Sequence, residues 1–248
     1  MSVPGKFFGI GVGPGEPGLL SVIAWEFLKR CDVIFAPRAR TMKHSVARQC
    51  LPANEIPDER FREVEFTMDS DRIRLCEHYA SVAETIAAEL RAGKDAAWLT
   101  IGDPMTYSTY IYTLAALKDR IPDVRHRTFP GITSYCALAA VAEFPLGESK
   151  EAVLIFPCPD EMPELRAAIE SHDVVVLMKI GERLPAVLGL LREMCIASNC
   201  AFGRRVGMND QVIHANVDQM DPEKSLGYLA TMLIRKSPPK KRHAGVQT

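Results

Sequence analysis

Three short stretches of this sequence carry residue types that hold small ligands. Gly102-Asp103-Pro104 places an acid directly after the apolar run Ala96–Ile101. A carboxylate at the carboxyl end of a buried strand stands where open α/β sheets receive ligands. There it can accept hydrogen bonds from ribose hydroxyls or an ammonium group, or it can cap a following helix. Pro130-Gly131-Ile132-Thr133-Ser134 opens an alanine-rich segment. Its two hydroxyls can cap that helix, or face a ligand carboxylate at the positive end of the helix dipole. Met178-Lys179 ends another apolar run and reads either as core or as the lining of an apolar adenine slot.

Gly13-Pro14-Gly15-Glu16-Pro17-Gly18 matches the dinucleotide fingerprint G-x-G-x-x-G in form. A pyrophosphate cradle works by aiming backbone N–H groups at phosphates, and Pro14 and Pro17 have none. The alternating Gly9, Gly11, Gly13 and Gly15 instead describe a backbone that a bulky, weakly charged group can approach closely, or a tight turn with no ligand. An NAD(P)-dependent oxidoreductase built on this turn is therefore kept as an alternative only. No HExxH, Walker lysine motif or Ser/His/Asp spacing is present, and the six histidines are scattered. The seven cysteines include no CxxC pair and no zinc-like spacing with histidine. They read as thiols in a reducing cytoplasm, and no protein-bound metal is expected.

The elements that would position these residues follow a parallel-sheet pattern. Phe7–Val12 reads as a buried strand, Leu19–Lys29 as a helix and Val33–Ala36 as a second strand. From Pro37 to Asp58 prolines break the pattern, and Arg38, Arg40, Lys43, His44 and Arg48 gather in what reads as a long loop, a common place for function. Asp71–Ala92 is the clearest helix, with Gly93 as its terminator. Helices are expected from Tyr107 to Lys118 and from Thr133 to Ala142. The second is apolar nearly all round and so expected to be buried. Strands are expected at Val124–Phe129, Ala152–Phe156, Val174–Met178, Cys200–Arg205, Gln211–Ala215 and Leu226–Ile234. Composition alone divides the chain at Pro145–Glu151.

The 248 residues carry 30 Lys+Arg against 31 Asp+Glu, a balance that argues against a nucleic-acid-coating protein. No apolar run is long enough for a membrane span, and nothing at the N-terminus resembles a signal peptide, so a cytoplasmic enzyme is expected. The end, Lys236 to His243, reads as a frayed basic tail.

In their order and spacing these motifs resemble the tetrapyrrole (corrin/porphyrin) methylase family. The matching pieces are Gly11-Val12-Gly13-Pro14-Gly15-Glu16-Pro17 with Leu19-Leu20-Ser21, Ile101-Gly102-Asp103-Pro104, Pro130 to Ser134, and the strand ending Met178-Lys179. The likeness runs from residue 7 to about residue 235. The stretch Gly102 to Tyr110 is most similar to the C20-methyltransferases of cobalamin biosynthesis, which act on precorrin-2 or cobalt-factor II. Glu16 stands where the family often has Asp, and Tyr228 to Met232 departs from the usual form.

The resemblance implies a homodimer of two-domain α/β chains, with S-adenosylmethionine in the cleft between domains 1–122 and 123–248. It implies that Pro14, Ile101, Gly102, Asp103, Thr106, Thr133, Ser134, Met178 and Val206 contact the cofactor, with Asp103 at its polar end. A substrate with eight carboxylates needs local cations, and Arg38 and Arg40 are the expected ones. Another member of the family, such as a different precorrin methylase or a diphthine synthase-like enzyme, is the nearest alternative. A binding module without turnover is a further one.

Overall fold

The computed structural model describes residues 3–40, 42–66, 72–221 and 227–238. They divide into two compact units between Thr133 and Ser134. The first contains β1 (Phe7–Gly11), α1 (Val22–Leu28), β2 (Val33–Ala39), α2 (Val46–Gln49), β3 (Phe61–Phe66), α3 (Arg72–Arg91), β4 (Ala96–Thr100), α4 (Thr109–Arg120) and β5 (His126–Phe129). The second contains α5 (Ser134–Val141), β6 (Val153–Pro157), α6 (Met162–Ser171), β7 (Val174–Met178), α7 (Leu184–Glu193), β8 (Cys200–Arg204), β9 (Val212–His214) and β10 (Ala230–Arg235).

The first sheet is parallel throughout, in the order β3-β2-β4-β1-β5. Its strands alternate between two covered faces. Phe7, Val33, Phe35 and Trp98 pack under Val82, Ile86 and Leu90 of α3 and Tyr110 and Leu117 of α4. The other face carries Phe8 and Phe129, whose rings lie 5.3 and 4.9 Å from that of Phe27 on α1. Each fully buried side chain of this size contributes about 1.5–3 kcal/mol. The register pairs Gly11 with Thr100 and Ile10 with Phe129, so β4, β1 and β5 finish nearly level.

The second sheet is mixed, in the order β6-β7-β10-β8-β9. β6 and β7 are parallel, and β10 runs antiparallel to both β7 and β8. Thr231 lies opposite Met178 and Ala230 opposite Arg204, so β7 and β8 end at the edge where β10 begins. α6 and α7 cover one face through Leu165, Ile169, Leu184, Val187, Leu188 and Leu191. α5 lies on the other, over Val176, Ala201 and Leu233.

Several expectations need correction. The unit boundary falls after Thr133 rather than near Pro122 or at Pro145–Glu151, because β5 returns to pair with β1 and completes the first sheet. α1 starts at Val22 rather than Leu19, because Ser21 takes the capping position and accepts from the Ala24 N–H at 3.3 Å. The supposed loop from Pro37 is strand as far as Ala39, and β3 pairs beside it. α5 is not buried all round: Ala137 and Leu138 are covered while Val141 is 54% exposed. Gly93, with φ 84°, does end α3, as its position in the sequence implies. Leu226, at the start of the expected last strand, and the tail residues Pro239 to His243 lie outside the described residues.

Candidate functional site

The helix after β1 lies on one face of the first sheet and the helix after β4 on the other, although the two strands are neighbours. Such a divergence opens the carboxyl ends of open α/β sheets to ligands. Here four glycine backbones occupy that point. The Val12 N–H donates to Thr100 O at 2.9 Å, and the Gly102 N–H donates to Gly13 O at 2.7 Å. The bridge requires left-handed backbone at Gly13 (φ 79°) and Gly102 (φ 70°), which glycine adopts without steric cost. A Cβ on Gly11 would stand 2.5 Å from Gly131 N and 2.8 Å from Gly102 O. A Cβ on Gly131 would overlap the Gly102 carbonyl oxygen and lie 2.8 Å from Gly11 Cα. The loops after β1, β4 and β5 thus touch backbone to backbone.

Asp103 ties this crossing together. Its Oδ2 accepts from the Gly131 N–H at 3.1 Å. Its Oδ1 accepts from the Met105 N–H at 2.8 Å and from the Thr106 hydroxyl at 3.3 Å. A carboxylate has about four lone-pair sites, so one acceptor position is left over. Asp103 does not cap α4. Ser108 occupies that position, and its hydroxyl turns back to donate to Pro104 O. Ile101, Asp103, Thr106 and Thr133 are all half-buried around the crossing, whereas Pro14 and Gly102 are buried within it. On the α1 side an open depression of about 330 Å³ lies against Leu19, Leu20, Pro130 and Ile132.

The second unit gathers Ser134, Met178 and Val206 beside α5. The Ser134 and Thr231 hydroxyls hydrogen-bond at 2.9 Å. Met178 and Val206 share an apolar cluster with Leu138 and Val176. Gly203 lets that cluster close, since a Cβ there would stand 2.6 Å from Leu138 and 2.7 Å from Val206. At the same sheet edge, Lys179 (φ 55°), Arg205 (φ 50°) and Leu229 (φ 53°) follow β7, follow β8 and precede β10. All three are left-handed although none is glycine, and strain of this kind collects at functional sites. Backbone bonds from Gly181 N to Gly227 O (3.2 Å) and from Arg205 N to Leu229 O (2.9 Å) hold the loops. No sequence signal marks these three positions, because Lys, Arg and Leu do not advertise positive φ.

The basic cluster differs from its expected role. Arg38 Nε lies 3.2 Å from Glu63 and its Nη2 3.2 Å from Glu65, while Nη1 donates to Met42 O at 2.7 Å. This guanidinium is committed to holding β3 and the loop after β2. Arg48 pairs with Asp58 at 2.5 Å and lies over the Phe61 ring. Arg40, with its side chain 86% exposed, stays 3.9 Å from Glu65, and Lys43 and His44 are exposed beside it. The alternating Glu63 and Glu65 of β3 are the missed signal, a period-two pattern just beyond the stretch that reads as a loop.

Burial pushes the Cys31 and Cys200 thiols up to about 12 and raises Cys158 as well. Cys76, Cys136 and Cys195 are exposed. Among the described residues no three potential metal ligands cluster, and no helix is long and apolar enough to cross a membrane.

Residues 6–221 match the model of the tetrapyrrole (corrin/porphyrin) methylases, and the chain belongs to that family. It is 27% identical over 232 residues to a cobalt-precorrin-2 C(20)-methyltransferase of Salmonella typhimurium, covering 94% of this chain and 97% of the relative. It is also 27% identical over 237 residues to a precorrin-2 C(20)-methyltransferase of a Sinorhizobium species, covering 93% and 95%. The fold matches a uroporphyrin-III C-methyl transferase of Thermus thermophilus complexed with S-adenyl homocysteine. That match has a TM-score of 0.61 and 19% identity, over 93% of this chain and 97% of that one. Family membership removes the nicotinamide alternative.

Proposed function

We propose that this member of the tetrapyrrole methylase family transfers a methyl group from S-adenosylmethionine to C20 of precorrin-2, or of its cobalt-bound counterpart, in cobalamin biosynthesis. The support is full-length similarity to relatives named for that reaction, with both a cobalt and a metal-free name among them. The observation that carries the chemistry is the knot of Gly11, Gly102 and Gly131 fastened by Asp103, which keeps an acid and bare backbone at the carboxyl ends of β4, β1 and β5.

The donor set suits a cationic nucleoside. One carboxylate with an acceptor site left over, the hydroxyls of Thr106 and Thr133 and the side chain of Ile101 offer acceptors and apolar surface without an excess of positive charge. S-adenosylmethionine, when bound, supplies a methyl group already activated on a sulfonium. Asp103 would hold its polar end, and Ile101 and Gly102 would line it. In the second unit Ser134 offers a hydroxyl and the half-buried Met178 a thioether, whereas Val206 is 4% exposed and packed against Leu138 over Gly203. A meso carbon between reduced rings is itself electron-rich, so the task of these residues is alignment and exclusion of water. Alignment of that kind contributes about 7–11 kcal/mol. Arg40, with Lys43, is the cationic group proposed for the substrate carboxylates, while Arg38 shapes their loop.

We also propose a cytoplasmic homodimer. The exposed Val141 and Val153 of the second unit are apolar surface that a second copy would cover. Incubation with S-adenosylmethionine and precorrin-2, with and without cobalt, tests the function. The expected result is one added methyl at C20, located by NMR. Methylation at another carbon would move the chain to a different position in the family, and no transfer to either form would overturn the reading.

A further inference from the structure

Tyr107 has a left-handed backbone (φ 50°) and its residue is 44% exposed. For an aromatic residue that conformation costs about 1–2 kcal/mol, a cost that Gly would avoid and Asn would lessen. The ring does not repay it by filling the core. Tyr110, three residues on, fills the core instead: it is fully buried over Gly9 with its hydroxyl on Thr128 at 2.7 Å.

The conformation is imposed from both sides. Asp103 fixes Met105 and Thr106 on one side, and Ser108 bonds back to Pro104 O on the other. The result is a hydrogen-bonded turn after β4 with Met105 (58% exposed) and Tyr107 on its outside. β2 is the neighbour of β4, and the loop after β2 carries the exposed Arg40 and Lys43. Apolar and aromatic surface after one strand, with cations after the next, complements a ligand that has a flat apolar body and an anionic rim.

We infer that Tyr107 is a substrate-seating residue, kept exposed in a left-handed conformation, whose ring lies against the flat face of the tetrapyrrole. This rests on the proposed function and names the residue that would select the macrocycle.

The test compares the wild type with Tyr107→Phe, Tyr107→Asn and Tyr107→Gly. Three quantities are measured: KM for precorrin-2, S-adenosylhomocysteine affinity by calorimetry, and Tm. Tyr107→Gly and Tyr107→Asn should raise KM about tenfold, the loss of one aromatic contact, and leave S-adenosylhomocysteine affinity unchanged. Tm should rise by about 2–4 °C in Tyr107→Gly as the backbone relaxes. Tyr107→Phe should keep KM within about twofold, because the ring rather than the hydroxyl is used. A KM for Tyr107→Gly and Tyr107→Asn within twofold of wild type would overturn the inference while leaving the methyltransferase reading intact. So would a Tm lowered in both variants, which would make the ring a structural prop. Absence of turnover by the wild type would instead overturn the reading on which the inference rests.

Discussion

The two sheets close the loops at one edge by different means. In the first unit the backbone crossing is made by Gly11, Gly13, Gly102 and Gly131, residues suited to left-handed or side-chain-free positions. In the second, Gly181 and Gly227 touch, but the left-handed positions beside them are filled by Lys179, Arg205 and Leu229. The first crossing is therefore free of strain at its own residues, with the left-handed Tyr107 lying beyond it in the turn after β4. The second holds local strain that the surrounding strands enforce. An edge built by glycine is written in the sequence, and an edge built by enforced conformation is not.

The sharpest way to break this comparison is at the first edge. Gly131→Ala should cost about 4–5 kcal/mol or leave no folded protein, because both neighbours are backbone and cannot yield. Gly181→Ala, at φ 56° with nothing within 4 Å of the added carbon, should cost only about 1–2 kcal/mol. Urea unfolding of the two variants measures the difference, and equal losses would erase the distinction.

At the second edge the sign should reverse. Lys179→Gly relieves a left-handed lysine and should stabilise the protein by up to about 1 kcal/mol, less the added chain entropy of glycine. A clear loss in the same unfolding assay would mean that the lysine side chain supports the loop and that strain is not what distinguishes this edge.

The smallest effect concerns the thiols. Cys31 lies in the first unit and Cys200 in the second, and burial has raised both from the ordinary 9.0 to about 12. A raised pKa favours the protonated form in the folded state. The stability linked to these groups is therefore complete below 9.0 and is lost as pH rises towards about 12. In native protein at pH 8, Cys76, Cys136 and Cys195 should react quickly with a thiol reagent, and Cys31, Cys50, Cys158 and Cys200 slowly. Fast labelling of either raised thiol would show that its unit opens locally.

What could be read from the sequence follows the same division. Val174–Met178 is a strand where its unbroken apolar run says so, and Gly93 ends α3 where glycine should. The place of Asp103 at the strand end is legible, but its grip on Gly131 is not. That bond joins residues far apart in sequence, which only the adjacent ends of β4, β1 and β5 bring together. The partners of Arg38 are not legible for the same reason. Its cationic neighbours are local, whereas the Glu63 and Glu65 that neutralise it arrive on the next strand of the sheet. The division after Thr133 is not legible because β5, although readable as a strand, follows α4 in sequence and yet pairs with β1 in the first sheet.

The account stands most directly on where the nucleoside sits. A crystal grown with S-adenosylhomocysteine should show it against Ile101, Gly102 and Asp103 at the carboxyl end of β4, with the Asp103 carboxylate bonded to its polar end. Density for the nucleoside elsewhere on the chain, with the Asp103 carboxylate bound only to Gly131, Met105 and Thr106, would contradict it.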